Sequence, residues 1–268
     1  SNTYNAVCDF IALGLSPDNT TFWVQSDVPE VTELAWILSS FTNIGSMDRS
    51  TTYKDKISKG IKPNMGLYSY PILMAADILL FNANIVPVGK DQKQHIEIAR
   101  DIANKFNARY GRVFILPEPE IVEKTQLIPG VDGKKMSKSY NNTIPIFGND
   151  KEIRKKIMGI ITDNASINEP KNKETPLFYL YCLFADKSEQ QILSEKYDAP
   201  GLRYGDIKLE LFEKIMDYFA PYRKERAILQ SKPDDIKDIL VLGAKKAKNV
   251  ALEVLDKVRS TVGISFNL

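Results

Sequence analysis

Cysteine, histidine and long apolar runs are all scarce in this sequence. Its 268 residues include two cysteines, Cys8 and Cys182, and a single histidine. The cysteines are far apart and have no metal-site spacing, so we expect no zinc and a reducing, cytoplasmic environment. No apolar run approaches the ~18 residues of a membrane span. The first residues do not resemble a signal peptide, so we expect no association with a membrane.

The charge balance excludes a protein whose whole surface is basic. The sequence has 36 basic and 34 acidic residues, which gives a formal net charge of +2. Any contact with nucleic acid must therefore come from a local basic patch. Hydrophobic residues make up 43% and charged residues 26% of the chain, which is typical of a globular protein.

Two strand-to-helix units are predicted in the first 110 residues. Residues 20–25 are rich in β-branched and aromatic side chains, which favours a buried strand, and a helix is expected at 29–41. Residues 85–88 predict a second strand, followed by a turn at 89–91 and an amphipathic helix at 92–106. This alternation predicts an α/β fold with a Rossmann-like parallel sheet, whose ligands bind at the carboxyl ends of the strands.

The rest of the pattern divides the chain near residue 150. Residues 70–81 are almost wholly apolar and predict a buried helix, whereas the basic stretch 54–62 is expected to be a mobile loop. Helices with polar faces are predicted at 151–161, 177–186, 188–197, 207–232 and, as one or two helices, 234–262. We predict a catalytic domain at 1–148, a helical domain at 149–235, and a C-terminal helix at 236–268 that packs on the catalytic domain.

A glycine- and lysine-rich loop at 127–140 carries the strongest chemical signal. Lys135 and Lys138 lie three residues apart beside the hydroxyls of Ser137 and Ser139. Two ammonium groups on such a loop can stabilise the charge that builds on a pyrophosphate leaving group. The alternative is an ordinary solvated basic loop, because five-residue matches also occur by chance.

A second signal lies on the apolar helix. Tyr70, Met74 and Asp77 stand at positions i, i+4 and i+7 and so share one helix face. A carboxylate in an apolar helix is costly unless it meets a donor, and Asp77 can accept a hydrogen bond from a ligand N–H. Met74 can form a polarisable wall for an aromatic ring. The alternative is an aspartate that caps a neighbouring loop and a methionine in ordinary core.

A third signal follows the strand at 85–88. Gly89 has no side chain, so a ligand can approach the backbone there. Asp91 precedes a helix, where it could bind a ribose hydroxyl or only cap the helix.

Together, the three segments YPILMAADIL, PVGKDQKQHIEIARDIANKFN and PGVDGKKMSKS resemble the bacterial tryptophan–tRNA ligases. These are class I aminoacyl-tRNA synthetases, whose signature loop matches residues 135–139. The resemblance covers essentially the whole chain. It implies ATP-dependent activation of L-tryptophan to tryptophanyl-adenylate and transfer to tRNA(Trp) in protein synthesis. It also implies Mg²⁺ that accompanies ATP, and a homodimer.

The resemblance implies a role for each matching residue. Asp77 is expected to accept the indole N–H, and Lys135 and Lys138 are expected to act on the phosphates as the catalytic residues. The residues expected to bind tryptophan are Tyr70, Met74, Asp77, Val86, Val88 and Gln92. Those expected to bind ATP are Gly89, Lys90, Asp91, Leu127 (with Ile128 as the alternative), Lys135, Met136, Ser137, Lys138 and Ser139. Lys54 and Lys56 align with a loop on the phosphate side.

The resemblance departs from the family pattern at the N-terminus. Members of the family open with a strand, a loop with a His-Ile-Gly-His-like signature and a helix that binds ATP, whereas the single histidine here, His95, follows Asp91. About the first 70 to 80 residues of a family member are expected to be absent, judged by the usual size of an α/β domain. We therefore expect this chain to keep a partial amino-acid pocket but to fail at adenylation, and we expect His95 to be a helix-surface or packing residue.

The partners follow from the same resemblance. The helical domain is expected to bind the tRNA anticodon, with a minority of its basic residues in contact with phosphate. The basic residues considered are Arg154, Lys155, Lys156, Arg223, Lys224 and Arg226. A homodimer is expected to involve the helix at 30–40, with Leu34, Trp36 and Ile37 near the subunit boundary.

Two alternatives stay open. A tyrosine–tRNA ligase has the same fold, but usually carries glutamine where Met74 stands, and an apolar methionine favours indole over phenol. A non-catalytic relative that senses tryptophan or nucleotide would need no clamp for a transition state, so the intact loop at 135–139 argues against it.

Overall fold

The computed structural model describes residues 2–121 and 128–265, apart from the side chains of Thr52 and Asp91. These residues form helices and a short parallel sheet. The helices are α1 (Asn2–Ala12), α2 (Glu30–Ser39), α3 (Ile44–Asp48), α4 (Thr51–Ser58), α5 (Met65–Leu79), α6 (Lys93–Tyr110), α7 (Asp150–Met158), α8 (Pro176–Leu183), α9 (Lys187–Asp198), α10 (Tyr204–Gln230) and α11 (Pro233–Val262), and the strands are β1 (Ile85–Pro87) and β2 (Glu118–Glu120).

The chain divides into two compact units. The first, here called the helical unit, comprises Ser1–Leu15 and Lys124–Pro233, and the second, the sheet unit, comprises Ser16–Glu123 and Asp234–Leu268. The lysine-rich loop thus belongs to the same unit as α7 to α10, and nearly all of α11 belongs to the same unit as β1 and β2. The domain limits 1–148, 149–235 and 236–268 stay a prediction.

The sheet unit is built around the apolar helix α5, which packs against α2 and α6. β1 and β2 pair in parallel, with Ile85 opposite Glu118 and Pro87 opposite Glu120, which confirms a parallel sheet, although β2 was not among the predicted strands. The core contains Leu34, Leu79, Ile102 and Phe106, each at most 1% exposed. Burial of such side chains supplies about 1.5–3 kcal/mol each, which is enough to hold a sheet of two short strands in place.

The last helix belongs to this unit through charge pairing as well as packing. The guanidinium of Arg259 on α11 donates to both carboxylate oxygens of Glu33 on α2, at 2.7 and 2.6 Å. This hydrogen bond from Arg259 lowers the pKa of Glu33. Lys248 forms a second ion pair with Glu30, at 3.1 Å. The predicted helix at 234–262 is therefore a single long helix that lies against α2.

Two local predictions in this unit are wrong. Residues 20–25 form no strand: 21–24 have no regular structure, and a 3₁₀ turn follows at Gln25–Asp27. A strand requires a neighbour to pair with, and here the backbone of Phe22 is covered by α11 at Gly243, where an added Cβ would overlap the Phe22 carbonyl oxygen. The loop predicted at 54–62 begins as helix α4, because the Ser50 hydroxyl accepts a hydrogen bond from the Tyr53 N–H and caps it.

The helical unit packs α7 to α10 around a second core. Its fully buried side chains include Ile153, Leu177, Tyr197 and Leu211. Helix α1 joins this unit along α10, where Asp9 forms an ion pair with Arg226. Capping is strong here: Asp186 and Glu189 form a reciprocal capping box at the start of α9. Among the residues described, none of the helices is both long and apolar enough to span a membrane.

Candidate functional site

Asp77 lies near the end of α5 and points away from the core that the helix otherwise fills. The neighbouring Ala75, Ala76 and Ile78 are buried, whereas Asp77 is half-buried. Both of its carboxylate oxygens accept hydrogen bonds from the side-chain nitrogen of Gln25, at 2.7 and 2.8 Å. Burial raises the pKa of Asp77, and the hydrogen bond from Gln25 opposes that rise. The donor that a carboxylate requires in this position is thus supplied within the unit.

A small cavity opens beside this carboxylate. Its volume is about 340 Å³, at the lower end of the range typical of small-molecule sites. It is lined by Thr21, Phe22, Trp23, Gln25, Asp77 and Phe81. The rings of Trp23 and Phe81 lie 5.0 Å apart. Aromatic walls beside a carboxylate acceptor suit a flat ring that carries an N–H donor.

Tyr70, two helical turns before Asp77, belongs to a second polar cluster in the sheet unit, together with His95 and Lys56. Its hydroxyl lies 2.7 Å from Nε2 of His95 on α6, and the ammonium group of Lys56 lies 5.0 Å from the centre of its ring. His95 is 1% exposed, so it is a packing residue and not a surface residue. Its hydrogen bond to a predicted substrate residue was not predicted, because no sequence pattern indicates which buried side chains meet.

The other residues predicted to bind tryptophan lie in the same unit. Met74, Val86 and Val88 are partly buried and pack against its hydrophobic core. They do not line the cavity at Asp77. Gln92 is partly buried and directly precedes α6 as its N-cap residue. Their roles in binding stay predictions.

The segment predicted to contact the ribose forms a 3₁₀ turn at Lys90–Gln92 between β1 and α6. Gly89 precedes it with φ of −70° and ψ of 160°, an extended conformation that any residue can adopt. Lys90 is exposed. The side chain of Asp91, and Leu127 altogether, lie outside the described residues.

In the helical unit, the lysine-rich loop is a tight hairpin. The Gly130 N–H donates to the Lys134 carbonyl at 2.7 Å, and the Met136 N–H donates to the Ile128 carbonyl at 2.9 Å. Gly133, at the tip, has φ of +76°, a conformation that favours glycine. Met136 packs against the core of the unit, whereas Lys135 and Lys138 are exposed.

A buried asparagine holds this hairpin in shape. Asn142 is 2% exposed. Its amide group donates to Asp132 at 2.7 Å and to the Lys135 carbonyl at 3.0 Å, and accepts from the Ser137 N–H at 2.8 Å. A Cβ at Gly130 would overlap the Asn142 side chain. Asn142 was not predicted as a functional residue, although an asparagine two positions after the loop is a signal that could have indicated it.

The two serines of the loop are also ordered. Their hydroxyl groups, on Ser137 and Ser139, lie 2.7 Å apart, and a 3₁₀ turn follows at Lys138–Tyr140. Lys156 on α7 donates to the carbonyl of Asn141 at 2.7 Å. The loop therefore presents its two ammonium groups from a backbone that is fixed on both sides.

The basic residues of the helical unit fall into two groups. Arg223 donates to the carbonyls of Ile146 and Gly148, at 3.0 Å each. Arg226 is paired with Asp9, and Lys156 is bonded to Asn141. Three of the six basic residues predicted as candidates for phosphate contacts are thus engaged in internal contacts. Arg154, Lys155 and Lys224 are exposed.

Comparison with known proteins adds an independent observation. A family model described as tRNA synthetases class I (W and Y) matches residues 1–220. The tryptophan–tRNA ligase of Fusobacterium nucleatum is 47% identical over 268 residues, which cover 100% of this chain and 82% of that protein. The crystal structure of tryptophanyl-tRNA synthetase from Campylobacter jejuni, complexed with ADP and tryptophan, matches with a TM-score of 0.93 at 46% identity, over 97% of this chain and 82% of that one. A tyrosyl-tRNA synthetase from Archaeoglobus fulgidus shares the fold, with a TM-score of 0.55 at 21% identity.

Proposed function

The chain belongs to the class I tRNA synthetases, among the tryptophan–tRNA ligases, and from this premise we propose how its residues serve that reaction. In the first step the carboxylate of L-tryptophan attacks the α-phosphate of ATP, forming tryptophanyl-adenylate and releasing pyrophosphate. In the second step the terminal ribose of tRNA(Trp) takes the acyl group. The observation that carries the proposal is the half-buried, hydrogen-bonded carboxylate of Asp77 beside an aromatic cavity.

We propose that Asp77 recognises tryptophan by accepting a hydrogen bond from the indole N–H. Phenylalanine has no polar group to offer, so its binding would cover the carboxylate positions that Gln25 leaves open without supplying a donor, in a partly apolar cavity. A site that is built to hydrogen-bond its substrate rejects an analogue without that group by roughly 10⁴-fold. Met74 on the same helix face has no donor or acceptor of the strength that a phenol hydroxyl would require. Tyr70 and Gln92 are proposed to hold the amino and carboxylate groups of tryptophan. Val86 and Val88 are proposed to contact the indole ring, although they lie outside the lining of the cavity at Asp77.

We assign the nucleotide to the turn after β1 and to the lysine-rich loop. Gly89, Lys90 and Asp91 would contact the ribose, and the loop at 135–139 would hold the phosphates. Adenylation requires little covalent work from the protein beyond positioning and charge stabilisation. Lys135 and Lys138 would therefore act mainly on the charge that develops as pyrophosphate leaves. Mg²⁺ would enter with ATP as part of that substrate.

We propose tRNA(Trp) as the macromolecular substrate, bound in the cytoplasm where protein synthesis uses it. The helical unit would meet the anticodon. Arg154, Lys155 and Lys224 are its exposed basic candidates for phosphate contacts, because Lys156, Arg223 and Arg226 already bond within the unit.

We also propose a homodimer through one apolar face of the sheet unit, here called the α2 face. Trp36, Ile44 and Met65 are 79%, 72% and 73% exposed and line one open groove there. Clustered exposure of this kind marks an interaction surface. Leu34, which was expected to lie near the subunit boundary, is fully buried within the unit and would not contact a partner directly.

The proposed reaction is tested by ATP–pyrophosphate exchange. The protein should carry this chain and have the full length of the relatives named above. We expect exchange that depends on tryptophan and is far weaker with tyrosine or phenylalanine. Preferred exchange with tyrosine would favour the tyrosine alternative, and tryptophan binding without exchange would favour a sensor.

A further inference from the structure

Gln25 and Asp77 meet although 52 positions separate them in the sequence. One amide nitrogen of Gln25 lies 2.7 and 2.8 Å from the two carboxylate oxygens. Both side chains line the same cavity, together with Trp23 and Phe81. Gln25 itself is exposed, so it stands at the open side of the cavity, and its amide faces inward.

We propose that Gln25 is a positioning residue for amino-acid selectivity, because its amide fixes Asp77 as a charged acceptor for a ring N–H. This inference rests on the proposed function of the site. A carboxylate offers about four lone-pair positions. The amide of Gln25 takes one on each oxygen and leaves the others for a ligand in the cavity.

The chemistry of the acceptor decides which rings it can recognise. An indole N–H can only donate, so it requires an acceptor. A neutral carboxylic acid would present an O–H, which could donate to the oxygen of a phenol. A donor held against both oxygens favours the charged form, which accepts from a ring N–H and has no O–H to donate to a phenol oxygen.

The backbone around Gln25 supports a fixed position for its side chain. The Asp27 N–H donates to the Val24 carbonyl at 2.9 Å, and the Val28 N–H donates to the Gln25 carbonyl at 3.1 Å. Val28 is fully buried and anchors the turn. Burial raises the pKa of Asp77, and the hydrogen bond from Gln25 lowers it, in agreement with the geometry.

The test compares two ligands that differ in one donor. L-Tryptophan carries the ring N–H, and its benzothiophene analogue carries sulfur in the same position. Gln25→Met keeps the length of the side chain and removes its donors, and Gln25→Glu keeps the shape but places a second carboxylate against Asp77. Ser26→Ala, at an exposed neighbour of Gln25 that does not line the cavity, is the matched control. Dissociation constants of both ligands would be measured by calorimetry on the 268-residue chain, and circular dichroism would check folding.

We expect the wild-type chain to prefer tryptophan over the analogue. Gln25→Met should reduce that preference about tenfold, the size of one hydrogen bond to a charged group. Gln25→Glu should reduce it further, because two adjacent carboxylates must share a proton. Ser26→Ala should leave the preference unchanged.

Three outcomes would overturn the inference. Equal weakening of both ligands by Gln25→Met would assign Gln25 a structural role. An unchanged preference in both Gln25 variants would remove any role in selectivity, while the preference of the wild type still supported the proposed function. A wild-type chain that binds neither ligand, or binds both equally, would contradict the proposed role of Asp77 together with the inference.

Discussion

The charged carboxylate of Asp77 is proposed to bind the ligand, but it lowers the stability of the free protein. Burial raises its pKa above that of an exposed aspartate, so the charged form costs stability at neutral pH. As the pH falls through this raised pKa, the native state takes up its proton before the unfolded chain does, and the cost disappears.

We therefore predict that Asp77→Asn raises the melting temperature at neutral pH and weakens tryptophan binding at least about tenfold. The amide oxygen of asparagine can still accept from Gln25, so that contact is kept. Thermal unfolding should show the gain shrinking in mildly acidic buffer. Asp55→Asn, which breaks an exposed ion pair with Lys59, is the control and should not stabilise. An Asp77→Asn variant that melts below the wild type would contradict the cost assigned to burial.

Substitution of Lys138 tests the proposed ATP site. Lys138→Ala should slow adenylation roughly a hundredfold, about 3 kcal/mol, and leave tryptophan affinity unchanged, because the ammonium acts on charge that exists only in the transition state. Pre-steady-state pyrophosphate release would measure it, in a protein that carries this chain and has the full length of its relatives. Lys134→Ala removes another exposed ammonium group of the same loop and should have little effect. A change in tryptophan affinity alone would show that Lys138 has another role.

Helix spacing predicted which residues share a face with Asp77, but it could not predict which side chains from other elements contact that face. Gln25 and His95 come from other elements, and the local pattern around each is ordinary. Their contacts depend on long-range packing. The same holds for Asn142, whose burial follows from the hairpin that it closes.

At the scale of elements, Gly243 on α11 affects the cavity at Asp77 through its contact with the backbone of Phe22. It lies against the backbone of Phe22, with no room for a Cβ. Phe22 and Trp23 line the cavity at Asp77. An added methyl group on α11 must therefore move either the helix or the cavity wall.

Gly243→Ala should destabilise the protein by about 1–3 kcal/mol, as overpacking usually does, and should weaken tryptophan binding. Gly205→Ala on α10 has open space around its Cβ, and should be neutral or stabilise by up to about 1 kcal/mol. Urea unfolding of both variants would compare them. Equal stability of the two variants would contradict the close packing of α11 on Phe22.

The helices were largely predictable because their apolar spacing, proline positions and caps are local signals. The strands were less so. β1 was predicted from its β-branched run, but β2, Glu-Pro-Glu, has no apolar alternation and is a strand only because β1 lies beside it. Residues 20–25 have the composition of a strand, but the backbone of Phe22 is covered by α11. Pairing partners, which decide both cases, are not encoded locally.

At the scale of the whole molecule, the α2 face predicts self-association. Trp36→Glu should convert a homodimer into a monomer at micromolar concentration, measured by light scattering, because a buried charge at the centre of an apolar interface is costly. Leu242→Glu changes an equally apolar residue on α11 that is 57% exposed, and should leave the dimer intact. A wild-type protein with a sharp monomer mass would contradict the proposed dimer.

The central claim is that Asp77 recognises the indole ring through its N–H, and calorimetric titration of this chain and its Asp77→Ala variant tests it most directly. The ligands are tryptophan, tyrosine and phenylalanine. We predict that the wild-type chain strongly prefers tryptophan, and that Asp77→Ala loses most of that preference over phenylalanine while both proteins remain folded. If Asp77→Ala kept the full preference for tryptophan, the indole contact would have to lie elsewhere, and the account of this site would be wrong.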